Sequence, residues 1–166
     1  MHALLHLVPR WLGLALLLAL PTLTYAQSPM SPETHNKQLI QQAFARWAAG
    51  TGNFFDLLTD DVQWTITGSS PYSKTYTSKQ QFIDEAVTPL SVRLAGPIVP
   101  KVRNVYADGD VVVAIWDGAA TAKDGQPYRN TYSWAMTLKN GRITHVTAFL
   151  DLIPYLDVFK RLPGPN

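Results

Sequence analysis

The sequence predicts an α+β domain: a curved antiparallel sheet with N-terminal helices packed across its concave face, leaving a conical pocket between them. Three observations carry this. Apolar residues recur at helical spacing in the first half of the chain. Strand-like runs follow one another from Lys101 onward. Three tight-turn signals, at Gly109, Gly125 and Gly141, punctuate those runs at a constant spacing.

The elements follow in order. Arg10 precedes the apolar run "WLGLALLLAL" (Trp11 to Leu20), then Pro21 and a small-x-small site at Thr24 and Ala26. This is the layout of a secretory signal over residues 1–26, and the run is shorter than the roughly 20 residues a membrane span requires. The chain is therefore expected to be exported, periplasmic or secreted, with no membrane attachment after cleavage. Residues 27–35, polar and proline-bearing, read as a flexible leader, and residues 36–162 as the folded domain, with 163–166 a tail. Within this frame Ser31 and Pro32 fit an N-cap and first helical position. Leu39, Ile40, Ala43, Phe44 and Trp47 form one helical face, which Gly50 and Gly52 stop.

"NFFDLLTDD" should be a brief second helix and "VQWTIT" (Val62 to Thr67) a strand. Ser78 with Gln81 makes a capping box for a helix expected to end near Pro89. Three hairpins then join four strands into a meander, and "IPYLDVFKRL" is an amphipathic piece suited to pack at its end. Helices segregated from such a sheet make an α+β fold, and a concave sheet face covered by helices leaves a pocket.

Composition narrows the function. The chain has 166 residues, no cysteine and a formal charge of +2. Disulfides and thiolate metal sites are excluded, so the domain is held by packing. No basic run or basic–aromatic stripe points to nucleic acid. There is no His/Asp/Glu cluster at metal spacing, no glycine-rich phosphate loop and no nucleophile elbow, so neither a metal nor a cofactor is expected.

Which side chains face the pocket depends on register, because one residue of slip reverses every facing. At Gly141 a three-residue loop with a bulge sorts the strands better than a two-residue loop. It places Tyr132, Trp134, Met136, Val146, Ala148 and Leu150 inside, and Thr131, Ser133, Thr137, His145, Thr147 and Asp151 outside. At Gly125 a two-residue loop pairs Asp117 with Tyr132 and points the carboxylate inward. A three-residue loop pairs Trp116 with Tyr132 and turns Asp117 outward, solvated or paired with Arg129. Composition leaves both open.

The segments "FFDLLTDDVQW" and "VYADGDVVVAIWDGAATAKDGQPYRNTYSWAMTLKNGRITHVTAFLD" resemble the SnoaL-like branch of the nuclear-transport-factor-2-like (ketosteroid-isomerase-like) superfamily, over roughly residues 36 to 160. The resemblance implies a small, mostly apolar ligand, a two-fold homodimer through the outer sheet face, and Asp117 facing the pocket. The epoxide-hydrolase pattern of the superfamily falls on Ile115, Asp117, Ala148, Trp64 and Ile66, so one of its five roles is kept. The steroid-isomerase pattern lacks its base near Ile66 or Thr67, and its oxyanion acid falls near Asn130. The sequence thus nominates Asp117 as a general acid/base in an apolar pocket, for a cofactor-free isomerisation, cyclisation or dehydration. Tyr132, Asn130, Trp134, Trp64, Tyr72 and Tyr76 would contact the substrate. The alternative is a non-catalytic ligand-binding or dimeric interaction module. His145 reads as an outer-face residue.

Overall fold

The computed structural model describes residues 30–164. The expected signal segment and most of the leader lie outside the described residues. Helix α1 (Pro32–Ala48) starts inside the expected leader. Ser31 caps it, its Oγ accepting from the Thr34 backbone N–H at 3.3 Å, with Pro32 in the first turn. Ile40 and Phe44 on its inner face are fully buried, each stabilising the fold by roughly 1.5–3 kcal/mol. The expected brief second helix is a single 3-10 turn, Phe54–Leu57, and the rest of that segment is already strand β1 (Leu58–Ile66).

A loop leads to the two-residue strand β2 (Thr75–Tyr76) and a three-part helical stretch: α2 (Lys79–Phe82), a π-turn (Ile83–Val87) and α3 (Thr88–Ser91). The Ser78 cap forms, its Oγ accepting from Gln81 N–H at 3.1 Å. The stretch does not stop at Pro89, as the sequence suggested. A regular turn would crowd the proline ring against the preceding carbonyls. The widened turn just before it, with Thr88 N–H donating to Ile83 C=O, lets the helix run on to Ser91.

Then come β3 (Val99–Asp108), β4 (Val111–Thr121), β5 (Pro127–Lys139) and β6 (Arg142–Leu150), the expected antiparallel meander, and α4 (Leu152–Arg161). The sheet order is β2-β1-β6-β5-β4-β3, and β1 joins the meander parallel to β6, with Trp64 opposite Val146. One core cluster lies between the concave face and the helices. A second, with Leu90, Leu94, Ala122, Tyr128, Tyr155 and Val158, ties α4 to the end of the sheet.

Two turns set the facings. At Gly141 the loop has two residues, Lys139 pairing with Arg142, but a bulge at Thr144 restores the parity of a three-residue loop. The inner set is therefore as expected, while the register differs by two residues, with Tyr132 opposite Leu150 and Trp134 opposite Ala148. At Gly125 Trp116 pairs with Tyr132 and Asp117 with Thr131. Gly125 itself sits at φ +81°, where glycine alone is unstrained.

Candidate functional site: an aromatic cavity under the helices

Along β5 the buried side chains alternate strictly: Tyr128, Asn130, Tyr132, Trp134, Met136 and Leu138 face inward. The neighbouring strands add Trp116 from β4, Trp64 and Ile66 from β1, and Ala148 and Leu150 from β6. Trp47 of α1, Phe55, Phe82, Ala86, Leu90 and Tyr155 close the space from the other side. The result is a cavity of about 190 Å³. Four of the chain's five tryptophans line it. Among the described residues no Asp, Glu, His, Lys or Arg does.

The walls are built from stacked and edge-on aromatic pairs. Trp116 stacks on Tyr132 with centroids 4.0 Å apart and planes 9° from parallel, and Trp64 stacks on Phe82 at 4.0 Å. Trp134 stands edge-on to both Trp116 and Trp64. Gly118 is needed where β4 passes this stack. A Cβ there would come within 2.9 Å of Ile98 Cγ2 and 3.0 Å of Tyr132 Cε2.

The polar groups are few. The Tyr132 hydroxyl lies 2.6 Å from that of Tyr128, and Asn130 Nδ2 donates to Tyr128 Oη at 3.1 Å. Asn130 also grips the start of α4. Its Nδ2 donates to Asp151 C=O at 2.8 Å, and its Oδ1 accepts from Asp151 N–H at 3.0 Å. Burial pushes the Tyr132 hydroxyl well above the usual tyrosine range, and those of Tyr128 and Tyr155 upward as well, so all three are protonated donors at neutral pH. The Trp116 indole Nε1–H is buried with no partner among the described residues.

A family model for the SnoaL-like domain matches residues 40–146, well over half of the chain. The chain belongs to the SnoaL-like family. No curated protein matches it. Solved structures of similar fold include a nuclear-transport-factor-2-like protein from Burkholderia thailandensis, 17% identical with a TM-score of 0.59, the match covering 75% of this chain and 96% of that one. Bal32a, from a soil-derived mobile gene cassette, is 16% identical with a TM-score of 0.63, covering 76% and 97%. TerC, co-crystallized with polyporic acid, is 18% identical with a TM-score of 0.58, covering 75% and 98%.

In this SnoaL-like domain the expected site residues divide. Tyr132, Trp134 and Trp64 line the cavity. Asn130 is inward and buried, but all its polar atoms are engaged by Tyr128 and Asp151. Tyr72 is displaced: its ring packs on Tyr155 and Phe159 of α4. Tyr76 is fully buried behind Phe82, its hydroxyl donating to Tyr72 C=O at 2.9 Å. Both back the wall rather than line it.

Asp117 is the main correction. The three-residue turn sends it to the outer face, where Arg103 Nε meets Oδ2 at 2.7 Å and Thr131 Oγ1 donates to Oδ1 at 2.8 Å. Its side chain is 34% exposed. The Arg103 and Thr131 hydrogen bonds hold its carboxyl below the usual aspartate range, opposite to what a buried acid/base requires. The cation is Arg103 on β3, not Arg129. The register of β3 shifts between Val102 and Asn104, so Arg103 has no direct Cα partner on β4, a detail no pattern in the sequence announces.

Tyr128, Phe55, Phe82 and Tyr155 went unrecognised. Tyr128 was legible in principle, since it shares the even-numbered face of β5 with Asn130 and Tyr132. Phe82 and Tyr155 reach the cavity only through the packing of α2 and α4.

Proposed function

We propose that this protein is an exported SnoaL-like domain that binds a small, mostly apolar, ring-bearing molecule in the tryptophan-lined cavity, and that its role is binding rather than acid/base turnover. The observation that carries this is the lining. Aromatic and aliphatic groups provide contact area and stacking, while among the described residues no carboxylate or imidazole reaches the cavity to move a proton. The volume is of the right scale, because an apolar cavity of about 150 Å³ accepts benzene. That TerC was co-crystallized with polyporic acid is consistent with a ligand pocket in this fold. Export is supported by the N-terminal pattern of residues 1–26.

The test is binding of toluene or naphthalene, read by quenching or shift of the tryptophan emission. Wild-type protein should show saturable binding. Ala86→Leu, which pushes a larger side chain into the cavity from the π-turn, should weaken binding at least about tenfold with little loss of stability. Unchanged affinity in Ala86→Leu would place the ligand elsewhere. Proton exchange on the bound ligand, catalysed by the protein and retained in Asp117→Asn, would replace the binding reading with an enzymatic one.

A further inference from the structure

The cavity has an identifiable mouth. Among its described lining residues only Ser91 and Pro97 are exposed, whereas Trp64, Trp116, Tyr132 and Trp134 are buried. Ser91 ends α3 and Pro97 lies just before β3, so the opening falls between these two segments.

Pro97 also lines a second hollow, an open groove of about 550 Å³ between residues 95–97 and the adjoining ends of β4 and β5. The pairing explains the groove. Leu94 bridges to Ala122 and Val99 pairs with Ala119. The chain over residues 94–99 is longer than the stretch of β4 it faces, so it arches away from that strand. Tyr128 lines the groove too, but it is 1% exposed and its hydroxyl is engaged by Tyr132 and Asn130. Among the described lining residues Arg129 is the only charged one, and it forms no ion pair with another described residue. Asp117, next along the same face, is already held by Arg103 and Thr131.

We propose that cavity and groove form one two-part site, and that the ligand is an aryl-alkanoic acid. Its ring sits among the tryptophans, its chain leaves between Ser91 and Pro97, and its carboxylate lies in the groove against Arg129. This rests on the reading of the cavity as the ligand site and specifies what extends beyond it. A carboxylate attached directly to the ring would be stripped of water with no cation beside it. A flexible chain carries the charge past the apolar walls to a guanidinium that can grip both its oxygens. Arg129 is exposed, so the gain is modest and sensitive to salt.

The experiment measures binding of two acid–alcohol pairs by tryptophan fluorescence. Benzyl alcohol should bind more tightly than benzoate, because the short acid places its charge inside the cavity. The order should reverse for the long pair, with 6-phenylhexanoate about two- to fivefold tighter than 6-phenylhexan-1-ol, and 6-phenylhexylamine weaker than both. Arg129→Glu should put the amine ahead of the acid while leaving the alcohol unchanged. Ser91→Glu, at the mouth, should weaken the long acid relative to the alcohol. Lys139→Glu makes the same change in net charge at the opposite end of β5 and should leave the wild-type order intact. An acid advantage that persists in Arg129→Glu, or that disappears equally in Lys139→Glu, would overturn the assignment. Should Arg129→Glu fail to fold, Arg129→Gln serves instead and should bring the long acid and alcohol level. Equal binding of that pair by the wild type defeats the two-part site and leaves the cavity as an apolar one. No binding of 6-phenylhexan-1-ol at all defeats both.

Discussion

Substituting Asn130 by Ala should destabilise the protein through a few identifiable atoms. The residue is 6% exposed and makes three hydrogen bonds, two to the Asp151 backbone and one to Tyr128. At about 1 kcal/mol net for each, the sum is about 3 kcal/mol. Asp151 is exposed, so water can replace part of its two bonds, whereas Tyr128 is out of reach of solvent. The expected loss is therefore roughly 1.5–3 kcal/mol, or about 5–10 °C in Tm for a domain of this size. Urea unfolding followed by tryptophan fluorescence measures it, with an unchanged m-value confirming that the same surface unfolds. A loss below about 0.5 kcal/mol would refute the claim that the Asn130 relay fastens α4 to β5. Asn130→Asp sharpens the test. A carboxylate keeps the acceptor but has no N–H to give. Burial raises its folded pKa above the unfolded value of about 3.9, so its stability should be best in acid and fall as pH rises through the folded pKa.

Other expectations concern the same wall and the outer face. Asp117→Asn should leave probe affinity within about twofold, because the carboxylate sits on the far side of β4; NMR titration of the wild type should place its pKa below about 3.9. Any contribution of the Arg103 pair to stability is then complete above the unfolded pKa and lost as pH falls through the folded one. Gly118→Ala should cost about 1–3 kcal/mol by overpacking against Ile98, Tyr132 and Trp116, seen as a lower urea midpoint together with weaker probe binding. At the alkaline end, Tyr76 is pushed up to about 12, and Tyr128, Tyr132 and Tyr155 are raised by burial. Stability is thus whole below about pH 10 and declines as pH climbs toward the folded values. Phenolate absorbance at pH 10–11 should accordingly lag in the folded protein; ordinary titration of these four near 10 without unfolding would contradict it.

The sequence by itself determined the α+β class, the Ser31 and Ser78 caps, the three hairpins of the meander and the inward set Tyr132, Trp134, Met136, Val146 and Ala148. These are local matters: a side-chain oxygen near a free N–H, a glycine at positive φ, and the two-residue alternation of a strand. It also supplied the aromatic residues from which a cavity could be built. What only the tertiary structure decided depends on one residue of register or on contacts between distant segments. The bulge at Thr144 and the three-residue turn at Gly125 each shift a strand by one place, and the second moved Asp117 from candidate catalyst to surface ion pair. The parallel pairing of β1 with β6 brings Trp64 beside Trp134, although 70 residues separate them in the chain. Asn130 looked like a ligand contact because the resemblance places its oxyanion acid near that position. Its role as an anchor emerges only when α4 folds back and presents the Asp151 backbone to it.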